Sequence, residues 1–181
     1  LANEGMVFSN AYSNAPNCAP SRACLMTGQY TPRHGIYTVG SAQRGQAESR
    51  KLIPVKNKTI LPSEKITIAE ILKENGYTCG HFGKWHLGTL TKTVRDSNRG
   101  GPKNIDHFSP PWLNGFEVCF STEAKVPTWD PMRKPKGKAS SRGWAALTDD
   151  SPSQPYGTHY WNDAGEIVKD NLSGDDSRVI M

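Results

Sequence analysis

The first run of apolar and β-forming positions lies near the start of the chain. Met6-Val7-Phe8-Ser9-Asn10-Ala11-Tyr12 predicts a β-strand, and residues 13–17 a polar loop after it. The run Cys18-Ala19-Pro20-Ser21-Arg22-Ala23-Cys24-Leu25-Met26-Thr27-Gly28 then predicts a short helix with Cys18 just before its N-terminus. Pro20 suits the first helical position, and Gly28 suits the position just past the end. A further helix is predicted after Thr67. Thr67-Ile68-Ala69-Glu70 reads as a capping box, Ile68, Ile71 and Leu72 as one apolar face, and Gly76 as the terminator. Residues 78–82 follow as a strand whose carboxyl end delivers Gly83-Lys84-Trp85-His86. That places them on the same sheet edge as Cys18, where α/β sheets commonly hold ligands.

Residues 29–35 predict a turn-rich loop, and residues 41–57 a polar, exposed stretch. From Thr89 to Trp161 the periodicity fades under repeated prolines, with one strand predicted over 116–120. A structureless loop of that length is unusual in a compact domain, so this region is expected to hold short elements or a substrate-shaping insertion. Residues 161–168 predict a hairpin turning at 162–165. Residues 1–5 read as a helix tail capped by Gly5, and residues 175–181 as a capped helix start. Both ends thus read as cut within an element, and the chain as a fragment of one larger domain.

Composition adjusts this outline. The chain has 181 residues, enough for one domain with a sizeable core. Seventeen glycines and 13 prolines, with a mean hydropathy of −0.62, raise the expected share of loops. No apolar run approaches the roughly 18 residues of a membrane span. The net charge of +5 comes without a basic helix or interleaved aromatics, so nucleic acid is not expected as a partner. Cys18, Cys24, Cys79 and Cys119 contain no C-x-x-C pair, which argues against structural zinc. A disulfide among Cys24, Cys79 and Cys119 stays open. Asn57-Lys58-Thr59 and Asn171-Leu172-Ser173 match glycosylation sequons, relevant only on a eukaryotic secretory route. Residues 133–138 form a basic tract: a solvated loop by default, a contact for a polyanionic glycan as the alternative.

The chemistry concentrates at Cys18. Helix N–H groups and the positive end of the helix dipole lower the cost of negative charge there, and Arg22 can reach back as a fixed cation. By itself a Cys-x-Pro-x-Arg run is compatible with a buried cysteine and a surface arginine. The full spacing C-x-P-S-R-x-x-L-x-T-G is more specific and resembles the formylglycine-dependent sulfatases. Gly76-Tyr77-Thr78-Cys79-Gly80-His81-Phe82-Gly83-Lys84-Trp85-His86-Leu87-Gly88 is similar to that family's second pattern, G-Y-x-T-x-x-x-G-K-W-H-L-G.

The resemblance implies an alkaline-phosphatase-like three-layer α/β/α sandwich, incomplete at both ends, with residues 1–181 a partial catalytic domain and 89–161 its loop-rich insertion. It implies hydrolysis of sulfate monoesters, of sulfated carbohydrates or aryl sulfates, through an aldehyde hydrate made from Cys18 by the formylglycine-generating enzyme. One hydroxyl of the hydrate attacks sulfur; the other, once deprotonated, expels sulfate, so the second step is intramolecular. Arg22 is implied to hold the hydrate, Lys84 a sulfate oxygen, and His86 the proton of the second hydroxyl. Lys84 and His86, two apart on an extended segment, are expected on one face. Arg33 and His34 are candidate substrate contacts, with structural hydrogen bonding the competing role. A divalent cation, calcium in most of the family, is implied beside the formylglycine oxygen of position 18. Its acidic ligands are expected outside this chain, since Asp149-Asp150 and Asp175-Asp176 lie downstream of where the first pair belongs. The fragment alone is therefore expected to be inactive, and the whole protein secreted or periplasmic. A phosphonate or phosphodiester hydrolase of the same superfamily and a non-catalytic sulfated-glycan binder are the alternatives.

Overall fold

One parallel strand pair organises the protein. The computed structural model describes residues 2–41, 43, 45–96, 99–123, 133–136, 152–155 and 157–169. In chain order these form α1 (Cys18–Thr27), a single turn α2 (Thr31–His34), α3 (Ile68–Glu74), β1 (Gly80–Lys84) and β2 (Val118–Thr122). Short 3₁₀ segments lie at Ala47–Ser49, Pro102–His107 and Pro111–Leu113. β1 and β2 run parallel, in register from Gly80 opposite Val118 to Lys84 opposite Thr122. Parallel neighbours need a long crossover, and residues 85–117 supply it. β3 (Arg133–Pro135) and β4 (Ser153–Pro155) form a separate antiparallel pair. The first four residues of the basic tract are thus part strand, not simply solvated loop.

α1 begins at Cys18 rather than after it, so Pro20 is the third helical residue instead of the first. That position tolerates proline because the first N–H groups of a helix lack intrahelical acceptors; the first helical bond runs from Ser21 N–H to the Asn17 carbonyl. The predicted terminator holds: Gly28 is left-handed at φ 64° and its N–H bonds the Cys24 carbonyl. Ala19, Ala23 and Cys24 face the interior. Residues 31–34, expected as loop, complete one helical turn closed by left-handed Gly35.

The capping box of α3 is present in both halves. Glu70 N–H donates to the Thr67 hydroxyl at 3.2 Å, and Thr67 N–H donates to the Glu70 carboxylate at 2.7 Å. The predicted apolar face is not the buried one: Ala69 is buried while Ile68 and Ile71 are exposed. Gly115, at φ +90°, brings its backbone so close that a Cβ there would lie 2.7 Å from the Ala69 carbonyl carbon. Only the alanine side of the helix admits such an approach.

The strand predicted over residues 6–12 does not form. Met6, Val7, Phe8 and Tyr12 are 72–85% exposed, and no described strand lies beside them to accept their backbone hydrogen bonds. Residues 2–4 form a turn rather than a helix tail. The other two predicted strands exist but begin two residues later than expected, at Gly80 and Val118. The 161–168 hairpin is present as an antiparallel bridge of Trp161 with Ile167, and the Asn162 carbonyl accepts from Gly165 N–H at the turn.

Ala19, Ala23, Ile36, Leu61, Trp85, Leu87, Leu90 and Trp161 make the core. Trp85 is its centre: 1% exposed, edge-on to His81 and Phe116, and donating its indole N–H to the Ser109 carbonyl at 2.6 Å. All four cysteines are free. Asn57, the first sequon asparagine, is a staple: its carbonyl oxygen accepts from Tyr37 N–H and Thr38 N–H, and its amide donates to the Thr38 and Gly40 carbonyls. Asn171, the two Asp-Asp pairs, the last two residues of the basic tract and the C-terminal helix start lie outside the described residues.

Candidate active site

The site forms where the start of α1 meets the end of β1. Lys84 is the last residue of β1 and His86 follows two residues later. His86 has φ 60°, left-handed for a non-glycine residue, so the chain leaves the strand conformation there and simple alternation does not set the direction of its ring. The turn carries the imidazole to Cys18, with Nδ1 at 3.2 Å from Sγ. Arg22, one turn into α1, donates from Nη1 to the Lys84 carbonyl and so ties helix to strand. Three residues read from two distant stretches of sequence are thereby brought together, with Lys84 close enough for its charge to act on His86.

The electrostatics follow from burial and cations. Burial, then the charges of Lys84, Arg99 and Arg22, push the His86 imidazole down to about 4. Burial pulls the Arg22 guanidinium below its ordinary value, with Cys18 opposing. Held neutral, the buried His86 imidazole keeps a free lone pair at neutral pH, but the burial and the cations that hold it neutral also make the free ring a weak base. The same cations favour an anionic group at the α1 N-terminus, where helix N–H groups already do so.

The two candidate substrate contacts differ. Arg33 is exposed. His34 is wholly buried; its Nδ1 accepts from Ile36 N–H and its Nε2 lies 3.4 Å from Cys24 Sγ. That is the structural role set against substrate contact in the sequence. Burial lowers the His34 imidazole and raises the Cys24 thiol, so both rest neutral.

Three neighbours carried no sequence signal. His81 lies on β1 with Nδ1 2.7 Å from the Ser121 hydroxyl; burial and then Arg22 push it down to about 4. Glu123 follows β2, fully buried, and pairs with Arg99 at 3.1 Å. Burial lifts the Glu123 carboxyl to about 8, Arg99 pulling it down and Asp96 pushing it up. β1 carries His81, β2 leads into Glu123, and the crossover between the two strands brings in Arg99. Among the described residues no three His, Cys, Asp or Glu side chains gather, so these residues by themselves do not form the oxygen cage calcium takes. No described helix is long and apolar enough to cross a membrane.

Fold and site define an α/β protein with an anion-attracting centre at the carboxyl end of a parallel strand. A family model described as Sulfatase matches residues 1–131, and the chain belongs to the sulfatase family. It is 42% identical over 96 residues to an arylsulfatase of Hemicentrotus pulcherrimus, covering 53% of this chain and 16% of that protein. It is 32% identical over 127 residues to an N-acetylgalactosamine-6-O-sulfatase of Bacteroides thetaiotaomicron, covering 70% and 20%. A solved structure from the metabolism of multiple glycosaminoglycans by Bacteroides thetaiotaomicron aligns with a TM-score of 0.49 and 20% identity, over 87% of this chain and 26% of that one. The chain therefore spans a fifth or less of the two curated relatives.

Proposed function

We propose that this chain carries the nucleophile-bearing part of a sulfatase of alkaline-phosphatase-like α/β/α architecture, hydrolysing sulfate monoesters of carbohydrates through formylglycine at position 18. The carrying observation is the 3.2 Å approach of His86 Nδ1 to Cys18 Sγ, with Arg22 bonded to the Lys84 backbone. Cys18 Sγ marks the place of the hydrate hydroxyls. The hydrate supplies one hydroxyl to attack sulfur and a second to expel sulfate. Lys84 holds a sulfate oxygen, where its charge is worth most with water excluded. Arg22 fixes the α1 start against β1 and balances charge at position 18. Burial and the neighbouring cations hold the free His86 ring at about 4; it takes the second hydroxyl's proton once the anionic sulfate group offsets those cations and restores its basicity. A carbohydrate substrate is supported by the N-acetylgalactosamine-6-O-sulfatase relative.

The test is to express the full open reading frame with a formylglycine-generating enzyme. Intact mass should fall by about 18 Da at Cys18 (hydration restores it), because the change from CH2–SH to CH=O loses one sulfur and two hydrogens and gains one oxygen. Cys18→Ala should abolish aryl sulfate hydrolysis, while Cys24→Ala retains it. Parallel assays on an aryl sulfate and an aryl phosphate diester separate sulfatase from diesterase. Equal activity of both cysteine variants removes position 18 from the mechanism.

A further inference from the structure

His86 holds a left-handed backbone conformation, which a non-glycine residue keeps only when its surroundings impose it. Its two chain neighbours are each tied down by a different segment. On one side, Trp85 N–H donates to the Thr122 carbonyl at 2.8 Å; on the other, the Leu87 carbonyl accepts from Leu61 N–H at 2.7 Å. Arg99 joins those two segments. Its Nε lies 3.1 Å from the Glu123 carboxyl, next to Thr122, a close approach without hydrogen-bond alignment, and its Nη2 donates to the Thr59 carbonyl at 3.1 Å, two residues from Leu61. Glu123 is fully buried, so this end of the link is shielded from water.

The backbone at Arg99 and Gly100 is itself tied down. Arg99 N–H and Gly100 N–H both donate to the Asp96 backbone carbonyl. The Asp96 carboxylate accepts from the Thr158 hydroxyl at 2.6 Å and from the Trp161 indole, inside the core. Gly100 is required here because a Cβ would lie 2.8 Å from Thr91 Cγ2. A guanidinium suits the task, since its charge is delocalised: Nη2 donates to the Thr59 carbonyl while Nε stays beside the Glu123 carboxyl.

We propose that Arg99, anchored by buried Glu123, is a positioning residue that clamps the segments on both sides of His86 and so holds the imidazole against position 18. It rests on the reading that His86 works at position 18. Arg99 touches no reacting atom; it acts through the 59–61 and 122–123 segments. The charge of Arg99 also bears on the His86 ring, which agrees with their proximity.

The experiment uses the full-length, formylglycine-bearing enzyme with Arg99→Met, Arg99→Lys and Glu123→Gln. The readouts are kcat and KM on an aryl sulfate, melting temperature, and amide hydrogen exchange at Trp85 and Leu61, the two bonds the clamp braces. Arg99→Met should lower kcat by roughly 10²-fold, the cost of misplacing a catalytic group by about an ångström, with KM little changed. Exchange at Trp85 and Leu61 should speed up by about tenfold or more, while the α3 amides keep their protection. Arg99→Lys should recover part of kcat. Glu123→Gln, which keeps the volume, should shift kcat and both amides in the same direction by less. Should Arg99→Met fail to fold, Glu123→Gln carries the test alone. Unchanged exchange at both amides overturns the proposal, as does faster exchange spread evenly through the protein. If the wild-type enzyme hydrolyses no sulfate ester, the proposed function fails, but the exchange data still decide whether the clamp exists.

Discussion

Residues 6–12 and residues 80–86 both lead to the candidate site, and they invert what their composition suggests. Met6-Val7-Phe8-Ser9-Asn10-Ala11-Tyr12 is rich in β-formers yet forms no strand, and its large side chains lie open to solvent. Gly80-His81-Phe82-Gly83-Lys84 contains two glycines, which weaken strands, yet it is β1. The difference is the neighbour. β1 has β2 along its whole length, and just past its end Trp85 is buried and hydrogen-bonded through both backbone and indole. Residues 6–12 have no such ladder among the described residues. Strand propensity is a preference for a half-buried pleated surface, and it has no effect where no such surface is provided.

The sharpest way to break this contrast is Trp85→Ala. Truncating a buried tryptophan at the centre of a core typically costs about 3–5 kcal/mol, a large part of a domain's net stability. Denaturant unfolding of the full-length protein should show that loss, together with reduced activity, because the Trp85 and His86 backbone move together. A loss under about 1 kcal/mol would mean the 80–86 segment is no better anchored than 6–12.

The pH dependence sharpens it next. Burial and Arg22 hold the His81 imidazole at about 4 in the folded protein, against roughly 6.5 unfolded. The folded state thus binds fewer protons between those values. Its His81 contribution is complete above about 6.5 and is lost as pH falls toward 4. Melting temperatures from pH 7.5 down to 4.5 should fall more steeply for wild type than for His81→Gln. His86, also held at about 4, leaves a residual slope in the variant. Parallel slopes would show that His81 is not desolvated as its place on β1 requires.

The smallest effect belongs to Phe8. At 72% exposure its side chain has little burial to lose, so Phe8→Ser should change unfolding free energy by no more than about 0.5 kcal/mol. In the full-length protein this is also the most informative null: a loss of several kcal/mol would show that another part of the chain covers residues 6–12 and supplies the missing ladder.

Much of the site was legible because its signals are local. Asn17 to Gly28 carries its own proline tolerance and left-handed stop, although Asn17 makes no side-chain cap and α1 starts two residues before the predicted first helical position. Thr67 and Glu70 cap α3 without outside help. Cys18, Arg22, Lys84 and His86 are singled out by the resemblance of their two stretches to the sulfatase motifs, and the structure brings Cys18, Arg22 and the Lys84–His86 turn together. The errors share one cause. Strand starts shifted by two residues, Ile68 and Ile71 were assigned inward, and residues 6–12 were read as a strand because propensity does not identify partners. The close backbone at Gly115, which selects the alanine side of α3, comes from a segment more than 40 residues away.

What the sequence by itself determined is therefore the local elements and the chemical identity of the site. The left-handed stop of the helix at position 18, the Cys18–Arg22 spacing and the Lys84–His86 spacing each depend on residues within a few positions of one another. Only the tertiary structure decided how they work together. The β1–β2 register set the level at which Lys84 ends, and the left-handed turn at His86 aimed the ring at Cys18. Burial held His81 and His86 neutral, and the Arg99–Glu123 pair appeared beside them from segments with no shared signal. Backbone torsions and caps are short-range and can be read along the chain. Desolvation and charge coupling depend on which distant segments exclude water together, and that information exists only once the chain has folded.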